Sequence, residues 1–311
     1  VVTPQLKLAP AETAVTKVDA RVVTTAALGA TPVGLAVDPA RQRLYVVDAG
    51  NGTVNVVDLK SLHLLERIPV GAGVLGAAVD PAAHRLYVSV GQSNQVAVVD
   101  TMSNEVVAWV EAGDSPAGIS LDPARGYALV ANVAGGSVTE IDTKAERVVR
   151  TIAVGENPQA VAVDAGTGLG YAASTTDNSV AVFDESTGQV LAHVPVGQQP
   201  DAITVNPALH RVYVGNYLDG TVSVLDTTTN QVINVIRAGT GPFGIAADSA
   251  TNLVYVANYS ASTVSIVDGV AGAVVQSLAT PGGPYAVAVD SSLGRIFVAN
   301  STGHAVTVIQ E

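Results

Sequence analysis

The stretch 34-GLAVDPARQRLYVVDAGNGTVNVVD-58 holds three apolar runs, each closed by an aspartate and followed by a polar turn. Gly34 to Asp38, Leu44 to Asp48 and Val54 to Asp58 are short and rich in valine, which predicts successive strands rather than a helix. Beyond them, 64-LLERIPV-70 alternates apolar with polar residues, as a strand with one wetted face does. The unit then recurs. Asp38, Asp80, Asp122, Asp164, Asn206, Asp248 and Asp290 stand 42 residues apart without a slip, so seven copies fill almost the whole chain of 311 residues. A fixed period of this length marks a unit that cannot bury its own apolar face and must stack on its neighbours.

Four antiparallel strands per unit, seven times over, predict an all-β fold: a seven-bladed β-propeller. The two ends support closure of the ring. The last unit stops after its third strand, Ala305 to Ile309, while 22-VVTTAALG-29 aligns with the fourth strand 106-VVAWVEAG-113 and has no unit before it. The N-terminal strand therefore completes the last blade. An open solenoid would need polar capping units at both ends, and neither end carries one. Residues 21–311 are expected to form one propeller domain behind a flexible lead-in over residues 1–20. That lead-in opens Val1-Val2-Thr3, is rich in Ala, Pro and Thr, and is what removal of a signal peptide would leave, so a periplasmic or extracellular location is expected.

Hydrophobic residues make up 48% of the chain and charged residues 14%, with no apolar run of membrane-spanning length. Cysteine is absent, which excludes disulfides, thiolate nucleophiles and cysteine metal sites.

The second strands end 213-YVGN-216 and 255-YVAN-258, with the looser 45-YVVD-48, 87-YVSV-90, 129-LVAN-132, 171-YAAS-174 and 297-FVAN-300. With the Val-Ala-Val-Asp strand, the Asp-Pro turn and the Gly-x-x-Pro linker beside them, these residues resemble the YVTN-repeat propellers, and within that family the YncE-like exported proteins. The resemblance covers residues 22–309 and implies the seven-bladed fold and export. The family includes surface-layer components and proposed binders, single-stranded-DNA binders among them, so the resemblance does not fix a function.

The net charge is −12. Six aspartates end first strands, and Asp58, Asp100, Asp142, Asp184, Asp226 and Asp268 end third strands. Each precedes a turn whose backbone amides its carboxylate can accept, so twelve of the 27 acids are assigned to turn chemistry. Strand direction puts both sets on one rim, which is expected to be acidic and partly offset by Arg43, Arg85, Arg211 and Arg295. Nonspecific nucleic-acid binding rests on Lys and Arg against phosphate, and these total only 15, so nucleic acid is a disfavoured partner and would have to stack on the opposite rim.

Several motifs are decoys. Gly71, Gly73 and Gly76 spell a dinucleotide loop, yet 77-AAVDP-81 after them is a repeat strand and not a helix. Gly113-Asp114-Ser115 occupies an ordinary linker slot with no histidine paired to the serine. His84 and His210 share one turn slot three blades apart, His63 and His193 lie near the fourth strands, and no set converges as a metal site must. Neither a metal nor a cofactor is expected.

One position departs from the repeat in a suggestive way. Five residues before the reference Asp stand Val33, Leu75, Ala117, Gln159, Asp201, Phe243 and Tyr285, at the start of the strand beside the axis. The same rim carries Asn216, Tyr217, Asn258, Tyr259, Asn300 and His304. Aromatic faces beside amides suit a sugar, a peptide or a base. The asparagines also admit a structural reading, as bridges between blades, and Asn132 shares their slot with no aromatic beside it.

Three readings follow. In the preferred one the chain is an exported, non-catalytic scaffold, expected to be monomeric, that binds a peptide, a glycan or a small polar ligand at the axial mouth. The second is a lactonase-like hydrolase or lyase using Glu156, Asp201 and His304. The third is a surface-layer or assembly module.

Overall fold

In the structure, a computed structural model that describes residues 17–311, seven four-stranded antiparallel sheets stand around an axis. The innermost strands are Pro32–Asp38, Val74–Asp80, Pro116–Asp122, Pro158–Asp164, Pro200–Asn206, Pro242–Asp248 and Pro284–Asp290, and they number blades 1 to 7. In blades 1 to 6 the four strands pair in chain order. Blade 7 takes its outermost strand from the N-terminus: Arg21–Ala26 pairs with Ala305–Gln310, Val22 opposite Ile309 and Ala26 opposite Val306. The ring is closed by main-chain hydrogen bonds, as the two incomplete ends predict. Residues 1–16 of the expected lead-in lie outside the described residues. Ala20, its last residue, is buried, and its backbone exchanges two hydrogen bonds with the Gln276 side chain on blade 6.

The middle strands carry the core. Second and third strands such as Arg43–Asp48 and Thr53–Asp58 are buried on both faces, because each sheet is covered by a sheet on either side. That is why they read as runs of Val, Leu, Ile and Ala, whereas outermost strands such as Glu105–Glu111 alternate. Among the described residues no helix is long and apolar enough to cross a membrane.

All twelve turn aspartates accept backbone amides two or three residues on, as at Asp80, Asp122, Asp100 and Asp226. The first-strand aspartates are turned inward and are at most 7% exposed, whereas five of the six third-strand aspartates stay partly exposed. Arg85 pairs with Asp100 at 2.7 Å and Arg43 lies 3.7 Å from Asp58, so carboxylates remain at this rim and arginines partly offset them, as expected.

The junction of blades 3 and 4 departs from the repeat. The second strands carry a buried Tyr at positions 45, 87, 171, 213 and 255, and the hydroxyls of Tyr87 and Tyr213 donate to the Thr143 and Gly269 carbonyls of the next blade. Leu129 holds this slot in blade 3. Cross-strand from it Glu140 stands where the other blades carry Val or Ile, and Glu185 stands where the neighbouring slots carry Thr, Gly, Leu or Glu311. Glu140 and Glu185 are wholly buried; Arg150 lies 3.5 Å from the first and Arg125 3.9 Å from the second. Burial, with Asp122 beside it, pushes the Glu185 carboxyl up to about 8.

An acid whose native pKa exceeds its unfolded value keeps a proton that the unfolded chain releases, so stability falls as pH rises between the two. For Glu185 that window runs from about 4.5 to about 8. Glu185→Gln is expected to melt a few degrees above the parent at the top of the window and level with it at the bottom, in thermal melts across pH. A difference that does not change with pH would contradict this.

Candidate ligand site at the axial mouth

Pairing between innermost and second strands shows what the variable position does. Pro32 lies opposite Asp48 and Gly34 opposite Val47, so Val33 is an extra residue, a β-bulge. The same slip brackets Gln159, Asp201, Phe243 and Tyr285, and a slightly wider one brackets Leu75 and Ala117. The innermost strand thus starts two residues before the sequence reading placed it. A bulge re-aims one side chain, and here all seven are aimed at one place. They line a single axial cavity of about 220 Å³, walled below by glycine, alanine and the branched side chains of residues such as Ile119, Val161 and Ile203.

The lining is divided around the ring. Blades 1 to 3 contribute aliphatic Val33, Leu75 and Ala117, blades 4 and 5 contribute Gln159 and Asp201, and blades 6 and 7 contribute Phe243 and Tyr285. The Phe243 and Tyr285 rings lie 4.2 Å apart between centroids. Tyr217 and Tyr259 flank Phe243 at 5.9 and 6.0 Å, outside the lining, and the Tyr217 hydroxyl lies 3.2 Å from Ser260 Oγ. The four rings form one aromatic cluster on one side of the mouth.

Asp201 is 7% exposed, and its carboxylate has no ion-pair partner among the described residues. Its one hydrogen bond comes from Gln199 Nε2, 2.9 Å from Oδ2. Gln199 can make it because its backbone is left-handed, φ 53°, and is held by the Asn178 side chain at its amide and the Tyr217 amide at its carbonyl. Burial raises the Asp201 carboxyl to about 6 despite that bond. Burial and the nearby Asp201 charge push Tyr285 up to about 12.

Asn216, Asn258 and Asn300 are placed elsewhere. All three are fully buried, and their amides donate within their own blades, Asn216 to Thr221 and Ser223, Asn258 to Thr263 and Ser265, Asn300 to Thr307, while Asn258 also donates to the Ala238 carbonyl of the preceding linker and so bridges two blades. Asn132 does the same to Ser137 and Thr139, and its Oδ1 accepts the Gly113 amide of the preceding linker. The sequence carries this signal seven residues on. Thr139, Ser223, Ser265 and Thr307 accompany the asparagines, while Val90 and Ser174 in the same slot are followed by Ala97 and Ala181. His304 is exposed on the last turn, its ring nitrogen on the Ala30 carbonyl, and it does not line the cavity. Glu156 is also outside the lining. Gln199 is the site residue that the sequence reading missed.

Charge divides between the two rims. The linkers and second-to-third turns at the mouth carry Asp114, Glu156, Asp177 and Asp219, all exposed, and no lysine or arginine. Asp177 and Asp219 brace the linkers by accepting the Glu156 and Gln198 amides.

No family model matches the chain, and no curated protein matches it. Among solved structures the chain is similar to hydrazine synthase of Kuenenia stuttgartiensis, with a TM-score of 0.81 over 95% of this chain and 97% of that one at 20% identity. At that identity the likeness shows the propeller fold alone.

Structural and mouth residues should separate on substitution. Asn258→Ala leaves a blade without its internal donor and is expected to cost about 1–3 kcal/mol in chemical unfolding. Asp201→Asn removes a desolvated charge and should leave stability level or slightly higher at neutral pH. A large loss of stability from Asp201→Asn would assign that residue to the fold.

Proposed function

We propose that this chain is a non-catalytic recognition scaffold whose axial mouth holds a small polar ligand. The observation that carries the reading is the convergence of the seven bulge residues on one cavity. Their backbones are equivalent by the repeat, so the packing of a blade gives no reason for valine in one, aspartate in another and tyrosine in a third. A cavity of about 220 Å³ is below the usual size for drug-like ligands, which favours a compact molecule over a peptide or glycan chain. A rigid ring presenting side chains about an axis is also where propellers offer binding surface.

The hydrolase reading needs a partner for Asp201. Glu156 and His304 were its candidates, and neither lines the cavity. Nucleic acid is disfavoured more strongly than by net charge alone, since the rim left to it carries four exposed acids and no cationic side chain in its loops. Membership of the YVTN-repeat propellers, and export with it, is part of the same reading and rests on the second-strand endings and linkers.

A steric block tests the site. Ala117→Phe places in blade 3 the residue that blade 6 carries in the equivalent slot, so the fold has room for it while the cavity does not. Saturation-transfer NMR against a mixture of simple sugars, dipeptides and alkylammonium salts is expected to show binding to the parent protein and none to Ala117→Phe, with melting temperatures within a few degrees. Equal signals from both proteins would move the site away from the axis.

A further inference from the structure

Resting on that axial-mouth reading, we infer that the ligand is a small organic ammonium ion, held between the Asp201 carboxylate and the aromatic wall of Phe243 and Tyr285. The argument begins with a missing counter-charge. Buried carboxylates in folded proteins are paired with a cation or wrapped in several donors, because an uncompensated charge away from water is costly. Asp201 is more than nine-tenths buried, faces the cavity, and has a single neutral donor, Gln199. None of the residues lining the cavity is lysine, arginine or histidine. No described residue supplies the compensating charge, which leaves a bound cation to supply it.

Three further features select the kind of cation. The described residues contain no cluster of three or more acids and histidines able to hold a metal ion, and Asp201 is the one acid in a lining of aliphatic, aromatic and amide residues, which suits a cation with an organic body better than a divalent metal that needs several oxygen ligands. Phe243 and Tyr285 line the cavity in the blades next after Asp201, and an alkylammonium group within about 6 Å of an aromatic centroid is attracted by the ring quadrupole. Around the opening, Asp114, Glu156, Asp177 and Asp219 outnumber Arg237, which is exposed at a strand end beside Asp219, and give the approach a negative potential. Asp114, Asp177 and Asp219 have another use in bracing linkers or turns, but the charges of all four still sum at the mouth. Gln159, on the far side of Asp201 from Phe243, supplies an amide oxygen for an N–H or O–H on the ligand.

Asp201 binds a cation only when ionised, so a proton competes with the ligand. Affinity is expected to be full at neutral pH and to decline as pH falls through about 6.

The test uses choline, n-butylammonium and 3,3-dimethylbutan-1-ol, the last being choline with its charged nitrogen replaced by carbon. Calorimetric titration of the whole chain and of its Asp201→Asn and Ala117→Phe variants is expected to show at least one ammonium probe binding the parent. The alcohol should bind about tenfold or more weakly, and Asp201→Asn should weaken the ammonium probe by a similar factor without changing the alcohol. The inference is overturned if the alcohol binds as tightly as choline, if Asp201→Asn retains ammonium affinity, or if neither ammonium probe binds. In those cases a sugar or dipeptide that Ala117→Phe excludes would leave the axial-mouth reading standing. Binding of every probe unchanged in Ala117→Phe would remove that reading as well.

Discussion

Closing seven twisted sheets around one axis brings the innermost strands so close together that nothing larger than a methyl stands between them, and at four blades not even that. A Cβ on Gly34 would stand 2.5 Å from the Leu75 carbonyl oxygen of the next blade, and one on Gly118 2.6 Å from that of Gln159; Gly76 and Gly244 face Ala117 and Tyr285 in the same way. Blades 4, 5 and 7 carry alanine at this position and none carries anything larger. The crowding explains why the residue just before it sits in a bulge. With the strand able to present at most a methyl at the tight point, the extra residue is turned toward the axis above it, and seven such residues make the mouth. Site geometry is thus a by-product of ring closure, and only the chemistry of the seven side chains is free to vary.

The architecture was legible because it is written seven times. A 42-residue period, turn aspartates at fixed offsets and two complementary ends leave little room for another fold, and pairing of Arg21–Ala26 with the last blade follows from those ends alone. The list of seven axial residues was also readable, as the column in which the repeat has no consensus. Other features were readable in principle but needed a second column. The structural role of Asn216, Asn258 and Asn300 is declared by the Ser or Thr seven residues later, and a single column of asparagines could not reveal it. Gln199 lay beyond reach, since its bond to Asp201 depends on a left-handed backbone in a linker whose neighbours carry Gly, Ser and Asn. The rim charge was legible only in part: counting aspartates does not show that the first-strand set is turned inward while most of the third-strand set stays partly exposed.

The two rims consequently differ in kind. At the turn rim, the first-strand carboxylates are buried over their own turns and the third-strand ones stand beside arginines such as Arg85, so both signs meet there. At the mouth the loops carry exposed acids with Arg237 beside Asp219 at one strand end, and Asp201 below them is buried with one neutral donor. A field of one sign focused on a low-dielectric cavity is a condition for drawing in an ion of the other sign.

Departure from the repeat does not by itself identify a binding residue, and blades 3 and 4 show why. Glu140 and Glu185 break their columns as sharply as Asp201 breaks its own, and Glu185 is shifted further from its ordinary pKa. They are sealed between sheets, with Arg150 and Arg125 brought to them from the same chain and Leu129 in place of the tyrosine that fills other blades. No hydrogen bond reaches either carboxylate, but each has an arginine of the same chain within 3.9 Å. Asp201 has no such internal answer: the groups around it are an amide, two aromatic rings and open space. What separates a repaired core from a binding site is where the missing partner must come from, and at Asp201 the only route is through the mouth.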